Sequence, residues 1–307
     1  MSHQIILALF NRASRFLSGK GIGIIPGATA LYDFIFWHLC PHKSILEIQG
    51  NKMYMNPKNL PKRFRNTFKY FTKYQIHEEL TTELFKKVVK DGDIVVDLGA
   101  NVGYFTLLAS KLVGKEGRVY AFEPEPLNYS ILIKNIELNG YKNIISVQKA
   151  VSGICGTVKL FIDEKATGCH TLSQYDDKKE FIEVDSVTLD NFFKDRNHPV
   201  NVIKMDIQGA EIAALMGMDR IIEQNDNLKI FAEFNPSLIQ GMGHSAEEFV
   251  RMLLEKWHFS VRAISEQAKN RSCLQINSVS ELMDLFMSRN LKHVNLFVEK
   301  NHSLTIL

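Results

Sequence analysis

The sequence predicts an α/β protein, a doubly wound and mostly parallel sheet preceded by a basic helical and hairpin appendage. Three observations predict it. From Ile94 onward, short apolar runs alternate with segments of helical period, the pattern of a sheet carrying helices on both faces. The first run ends in a glycine-containing turn, Asp97-Leu-Gly-Ala-Asn-Val-Gly103, at the edge where such sheets open a ligand cleft. The charge changes sign at the same boundary: residues 1–90 hold 14 Lys/Arg against 5 Asp/Glu, and residues 91–307 hold 23 against 29. A basic appendage over 1–75 and an acidic α/β domain over 76–307 follow from that split.

Element by element, the appendage comes first. Residues 45–55 alternate around Gly50-Asn51 and read as a hairpin. Phe64, Phe68 and Phe71 recur at helical spacing within 61–75. Thr81 or Thr82 can cap a helix running to Lys90, which Asp91-Gly92-Asp93 ends. Strands then fall at 94–98, 118–122 and 144–147, with helices at 104–112 and 126–139 between them, the latter turning Leu127, Ile131 (or Leu132) and Ile136 inward. Extra strands at 158–162 and 180–187 flank a polar loop. A fourth core strand, 200–205, leads into a helix at 210–216, and a fifth spans 228–234. Ser245 caps a helix to Lys256, with Glu248 as its capping-box partner. Strand 259–264, helix 280–288 and strand 293–298 close the domain.

Composition bounds the class. With 307 residues, 45% hydrophobic and 23% charged, the chain can bury a sizeable core. Disorder, collagen and disulfide scaffolds are excluded. Cys40, Cys155, Cys169 and Cys273 lack CxxC spacing and read as reduced thiols of a cytoplasmic protein or as small core hydrophobes. The apolar run 22–40 is broken by Pro26, Gly27, Asp33 and His38, which argues against a spanning helix, and the first residues lack a charged leader. Residues 4–17 set Ile5, Leu9, Phe16 and Leu17 against Arg12 and Arg15, a helix that either packs on the main domain or lies at a membrane surface.

The chemistry gathers at the carboxyl ends of the strands. Gly99 and Gly103 allow close backbone approach, and the following helix aims its first N–H groups at the same spot. Glu123 ends the second strand, where an acid can take both hydroxyls of a ribose. A nicotinamide fold would show GxGxxG here. The acid at the end of strand one instead repels a pyrophosphate and suits a cationic ligand with a free amino group. S-adenosylmethionine, with its ammonium, sulfonium, carboxylate and ribose, matches these features.

The segment Gly92-Asp-Ile-Val-Val-Asp-Leu-Gly-Ala-Asn-Val-Gly-Tyr-Phe-Thr106 resembles the first motif of class I S-adenosylmethionine-dependent methyltransferases, and more narrowly of the FkbM family. Further runs are similar to that family in order: Glu123-Pro-Glu-Pro-Leu-Asn128, Asn135-Ile-Glu-Leu-Asn139, Ala150-Val-Ser152, Val184-Asp-Ser-Val-Thr-Leu-Asp190 and Lys204-Met-Asp-Ile-Gln-Gly-Ala-Glu211. The resemblance covers residues 74–300. It departs at Gln208, where the family usually carries Glu; Gln keeps the hydrogen-bonding shape and loses the charge. The resemblance implies a seven-stranded Rossmann-like methyltransferase sheet. It implies S-adenosyl-L-methionine as cofactor and methyl transfer to a hydroxyl of a sugar, glycan, lipid or other natural product. It places Asp97, Gly99, Asn101 and Gly103 around the methionine part of the cofactor, Glu123 at the ribose and Ala150 near the adenine, with Ala100 and Pro124 as further cofactor contacts. Glu78 resembles an acid placed over the cofactor, and reads equally as a solvated helix-end charge.

Asp206 is the first candidate for the catalytic acid/base, because a hydroxyl acceptor must lose its proton as the methyl moves; its alternative is to cap the next helix. Lys204 shares its strand face by period two and either binds an acidic substrate group or forms an ion pair. Glu211 is a catalytic candidate or a helix-start acid. His170, in the loop Gly168-Cys-His-Thr-Leu172, can reach a substrate or face solvent. Glu233 is a further acid at the same edge. Asp206, Glu211 and Glu233 can surround a hard cation, but no metal site is assigned. The basic aromatic stretch 52–74 suits a solvated face first, an anionic membrane surface second and nucleic acid a distant third. RNA base methylation is disfavoured by the lack of an Asn/Asp-Pro-Pro-aromatic motif. The expected partner is therefore a hydroxylated small-molecule, glycan or lipid acceptor. A non-catalytic cofactor-binding module is the competing class. Nothing in the residues sets an oligomeric state.

Overall fold

Two compact units divide the chain, one of residues 1–77 with 164–166 and the other of residues 78–163 with 167–307. The computed structural model describes residues 12, 28–39, 44–55, 60–173, 180–196, 198–267 and 271–300. The amphipathic helix expected at 4–17 and Cys40 lie outside the described residues, apart from Arg12.

In the first unit, a helix at Ala28–Leu39 precedes the hairpin β1 (Ile45–Ile48) and β2 (Asn51–Tyr54) and a helix at Lys62–Tyr74. The hairpin turn falls one residue earlier than the sequence suggests. Asn51 already pairs with Ile48, so Gln49 and Gly50 make the turn, both at positive φ, as a two-residue hairpin of this kind requires. Phe64, Phe68 and Phe71 are buried, as their spacing predicts. Phe36 meets Phe68 edge-on at 6.5 Å, and Trp37 stacks on the same ring at 6.1 Å.

In the second unit, a helix at Glu79–Val88 leads to β3 (Ile94–Leu98), β4 (Arg118–Phe122), β5 (Ile144–Val147), β6 (Ala150–Val151), β7 (Gly156–Phe161) and β8 (Phe181–Val187). Then come β9 (Val202–Met205), β10 (Lys229–Phe234), β11 (Phe259–Ser265), β12 (Ser272–Ile276) and β13 (Val294–Lys300). The main sheet runs β12-β11-β13-β10-β9-β3-β4-β5. Strands β5, β4, β3, β9 and β10 are parallel, and β13 lies antiparallel between β10 and β11. The order reverses between β3 and β9, the switch point at which such sheets bind ligands. β6, β8 and β7 form a separate three-stranded sheet. Among the described residues, no helix is long and apolar enough to cross a membrane.

The central strands are buried on both faces and so read as mostly apolar runs, interrupted near their carboxyl ends by Asp97, Lys204 and Glu233. Val96, Leu98, Ile203, Met205, Ile230, Phe234 and Leu296 are inaccessible. Four local expectations are corrected. The sheet has an eighth strand, β12, an edge strand whose half-exposed side chains give little apolar signal. The helix expected from Thr81 or Thr82 begins at Glu79. Its first N–H groups are taken by a distant carboxylate, Glu266, which accepts from Leu80 N (3.2 Å) and Thr81 N (2.8 Å). Ser245 does cap its helix, accepting from Glu248 N at 3.0 Å, but the Glu248 carboxylate turns to His244 Nδ1 instead of closing a capping box. Cys155, Cys169 and Cys273 are exposed thiols, not core residues.

Candidate active site

The cleft begins with a backbone contact. Gly99 stands at φ 78°, and a Cβ there would lie 2.0 Å from the carbonyl oxygen of Asp206. Glycine alone lets the turn after β3 close against the turn after β9, where Asp206 N donates to Leu98 O at 3.0 Å. Gly99 N and Ala100 N both donate to Phe122 O, tying the same turn to the end of β4. Gly103, at φ 98°, starts the helix Tyr104–Val113.

Glu123, at the end of β4, is 4% exposed. Its Oε2 accepts from Asn101 N at 2.7 Å and its Oε1 from Glu125 N at 2.9 Å. Burial pushes its pKa up to about 8, against those stabilising N–H groups. Each oxygen keeps a second lone pair, so the carboxylate can take a pair of hydroxyls from a fixed position. A partly open cleft lies in front of it. Apolar Phe122, Val151, Leu160 and Leu172 line it together with Glu123, Asp206 and His170. One wall is the loop before Ser173, held by Asn128 Nδ2 donating to Thr167 O at 2.9 Å.

The opposite side, at the ends of β9 and β10, is a charged chain. Lys204 is 1% exposed in a central strand. Its Nζ lies 3.7 Å from Asp206 Oδ2 and 3.9 Å from Glu78 Oε2, and 5.0 Å over the Phe105 ring. Burial opposes its charge, but the surrounding Glu78, Asp206, Asp97 and Glu233 outweigh that and raise its pKa. Gln208, at φ 53°, donates from one amide nitrogen to Asp206 Oδ1 (2.8 Å) and Glu233 Oε2 (2.5 Å). Its backbone carbonyl accepts from the Thr171 hydroxyl. Burial, and then Asp206, Glu211 and Glu78, raise Glu233 well above the usual carboxylate range.

The structure sorts the candidate residues. Gly99, Asn101, Glu123, Pro124, Ala150, His170 and Asp206 line the cleft; Asp97, Ala100, Gly103, Lys204, Glu211 and Glu78 do not. Asp97 is buried, takes the Thr106 hydroxyl at 2.5 Å, and is raised by burial to about 6. Glu211 serves as a clasp: its oxygens accept from Ile207 N (3.2 Å) and Gly209 N (2.9 Å), fixing the turn after β9, and burial raises it to about 7. Lys204 is enclosed, so it cannot present its charge to a substrate in the cleft. Glu78, with a side chain 13% exposed and facing Lys204, is not a solvated helix-end charge. His170 Nδ1 accepts from Asp163 N at 3.0 Å, which leaves Nε2 to carry the proton of the neutral ring.

The donor set between Asp206 and Glu233 does not suit a cation. An amide nitrogen sits between them, and Glu211 is already engaged by two N–H groups. The bridging role of Gln208 is not readable from its own motif. The available signal is register: Met205 pairs with Ala232, so Asp206 and Glu233 follow side by side.

A cleft at the switch point of a mostly parallel sheet, with an acid ending the second strand, defines the class I methyltransferase fold. A family profile described as "Methyltransferase FkbM domain" matches residues 97–261, more than half the chain. The chain belongs to the FkbM methyltransferase family.

Among curated relatives, "Methyltransferase 1" of Beauveria bassiana is 26% identical over 169 residues, 47% of this chain and 66% of that protein. "Hexuronic acid methyltransferase AglP" of Haloferax volcanii is 23% identical over 148 residues, 48% of this chain and 58% of that protein. The matches therefore span less than two thirds of either relative. The solved structure of methyltransferase FkbM from Methylobacillus flagellatus aligns over 76% of this chain and 53% of that one, at 14% identity and a TM-score of 0.36.

S-adenosylmethionine, the cofactor of this class, fits the residues present. Asn101 Oδ1 is buried and accepts no hydrogen bond among the described residues, which provides an acceptor for an ammonium. Glu123 offers paired acceptors for ribose hydroxyls, and Gly99 leaves room for close approach along the backbone.

Proposed function

We propose that this chain is an S-adenosylmethionine-dependent O-methyltransferase acting on a hydroxyl of a sugar, glycan, lipid or other small natural product. The observation that carries the reading is Asp206. Its carboxylate lines the same cleft as Glu123, with Oδ1 fixed by Gln208 and Oδ2 facing Lys204. The bound cofactor supplies a methyl group already activated on sulfur. The protein's tasks are then to orient the acceptor in line and to take its proton.

Glu123 and Asn101 hold the cofactor on one side of the cleft. Asp206 accepts the hydroxyl proton on the other. Gln208 keeps the Asp206 carboxylate in one orientation, and Lys204 balances its charge from beneath. His170, in the loop wall, is placed to contact the acceptor. The Haloferax relative, named as a hexuronic acid methyltransferase, supports a sugar as one acceptor class.

The test is labelled methyl transfer into cell extract. The full chain and methyl-labelled S-adenosylmethionine should place alkali-stable label in a glycan, lipid or small-molecule fraction. An Asp206→Asn control should lose it. Cofactor binding without label above that control would favour a non-catalytic module, and label confined to RNA would contradict the acceptor class.

A further inference from the structure

The helix Ala28–Leu39 carries an outward face that water does not explain. Phe36 is fully buried on its inner side, whereas Leu31 is 60% and Phe34 69% exposed. His38 is also exposed, its ring stacked on Phe34 at 5.9 Å. Residues 31, 34 and 38 fall on one stripe of a helix. The segment Ala-Thr-Ala-Leu-Tyr-Asp-Phe-Ile-Phe-Trp-His-Leu holds one formal charge, Asp33, and Lys69 pairs with it at 2.6 Å.

Cations border this stripe. The helix Lys62–Tyr74 lies alongside, as the Phe36–Phe68 contact shows. The Arg65 guanidinium sits 4.7 Å over Trp37, and the Lys69 and Lys73 ammonium groups sit 5.7 and 5.6 Å from the Tyr32 ring. Lys62 and Arg65 are exposed. Over the described residues from 28 to 77 there are six Lys/Arg and two Asp/Glu. An exposed apolar stripe flanked by cations is the pattern of a helix that lies in the headgroup region of an anionic bilayer.

We propose that this unit docks on an anionic membrane surface, inserting Leu31 and Phe34 among the lipids while Lys62, Arg65 and Lys73 meet the headgroups. Single-stranded nucleic acid is the weaker occupant. Of the rings that interleave with the basic residues in sequence, Phe64, Phe68 and Phe71 are buried, and the exposed Tyr70 packs against Phe71, Tyr74 and His77, which leaves a poor stacking platform. Leu31 and Phe34 have no use against a phosphate backbone. The inference is independent of the methyl-transfer reading and is tested without cofactor or acceptor.

The experiment sediments the full chain with vesicles of phosphatidylcholine alone, or with 30% phosphatidylserine, at 0.1 and 0.5 M NaCl. The chain should partition onto the anionic vesicles at low salt and be released at high salt. Leu31→Ser with Phe34→Ser should weaken partition at least tenfold with an unchanged thermal melt, because both side chains are already largely in water. Arg65→Gln, an independent variant, should weaken it roughly fivefold. Three results would overturn the proposal: no partition at low salt, partition indifferent to lipid charge or to the apolar pair, or tighter binding to a single-stranded RNA oligonucleotide than to the anionic vesicles. A dimer in solution that the Leu31/Phe34 variant dissociates, with vesicles left unbound, would assign the face to a second copy instead.

Discussion

At the end of β4, each carboxylate oxygen of Glu123 is held by a backbone N–H; at the ends of β9 and β10, one buried lysine is shared among Asp206, Glu78, Asp97 and Glu233. The first arrangement is set by local chain geometry. Once β4 turns toward its helix, the donors of Asn101 and Glu125 are fixed in place. The second depends on side chains from four elements neutralising one another. Substitutions on the Glu123 side should therefore move ligand affinity, and those on the Lys204 side should move stability and turnover.

The sharpest way to break this contrast is Lys204→Met. Loss of the shared cation leaves buried carboxylates uncompensated and should cost about 3–5 kcal/mol of stability, measured by urea denaturation at pH 8. Part of the loss should return toward pH 5. A carboxylate whose folded pKa is raised stabilises the fold below its unfolded value, and that contribution is lost as pH rises through the folded pKa.

Asp206→Asn should leave cofactor affinity near wild type while lowering turnover by about 10²–10⁴-fold, read by single-turnover methyl transfer once an acceptor is identified. Equal loss of affinity and turnover would merge the two sides of the cleft. Glu123→Ala should do the reverse, weakening cofactor binding by about 1.5–3 kcal/mol. The smallest effect expected is that of Gln208→Glu. It replaces a donor with a third acid between Asp206 and Glu233, and should cost on the order of 1 kcal/mol at pH 8, regained below pH 6.

The wild-type chain should show the same sign. Burial raises Asp97, Glu211 and Glu123 to about 6, 7 and 8, all above their usual values, so stability should fall as pH rises from about 4 to 8. Glu123→Gln should flatten the upper end of that fall. A wild-type profile that rises with pH would contradict the burial of these acids.

Much of this is legible in the amino-acid sequence, for physical reasons that also mark its limits. β3, β4, β5 and the helix Pro126–Asn139 match their expected bounds to the residue; β3 and β4 do so because buried parallel strands are short, mostly apolar runs. Gly99, Glu123 and Asp206 are legible because strand ends carry the ligand in this architecture. The start of the helix at Glu79 is not, since its capping carboxylate, Glu266, lies 185 residues beyond Thr81. The bridge made by Gln208 is also hidden. It depends on which strand lies next to β9, a property of the sheet order and not of the local sequence. The clasp made by Glu211 depends on the positive φ of Gln208 and Gly209, and a non-glycine residue such as Gln208 gives little warning of that conformation.

The central claim is that the cleft between β3, β4 and β9 binds S-adenosylmethionine through Glu123. Isothermal titration calorimetry of the wild-type chain and of Glu123→Ala tests it most directly. The account predicts one site per chain in the wild type and affinity at least tenfold weaker in the variant. Absence of binding to the wild type, or equal affinity in the two proteins, would contradict it.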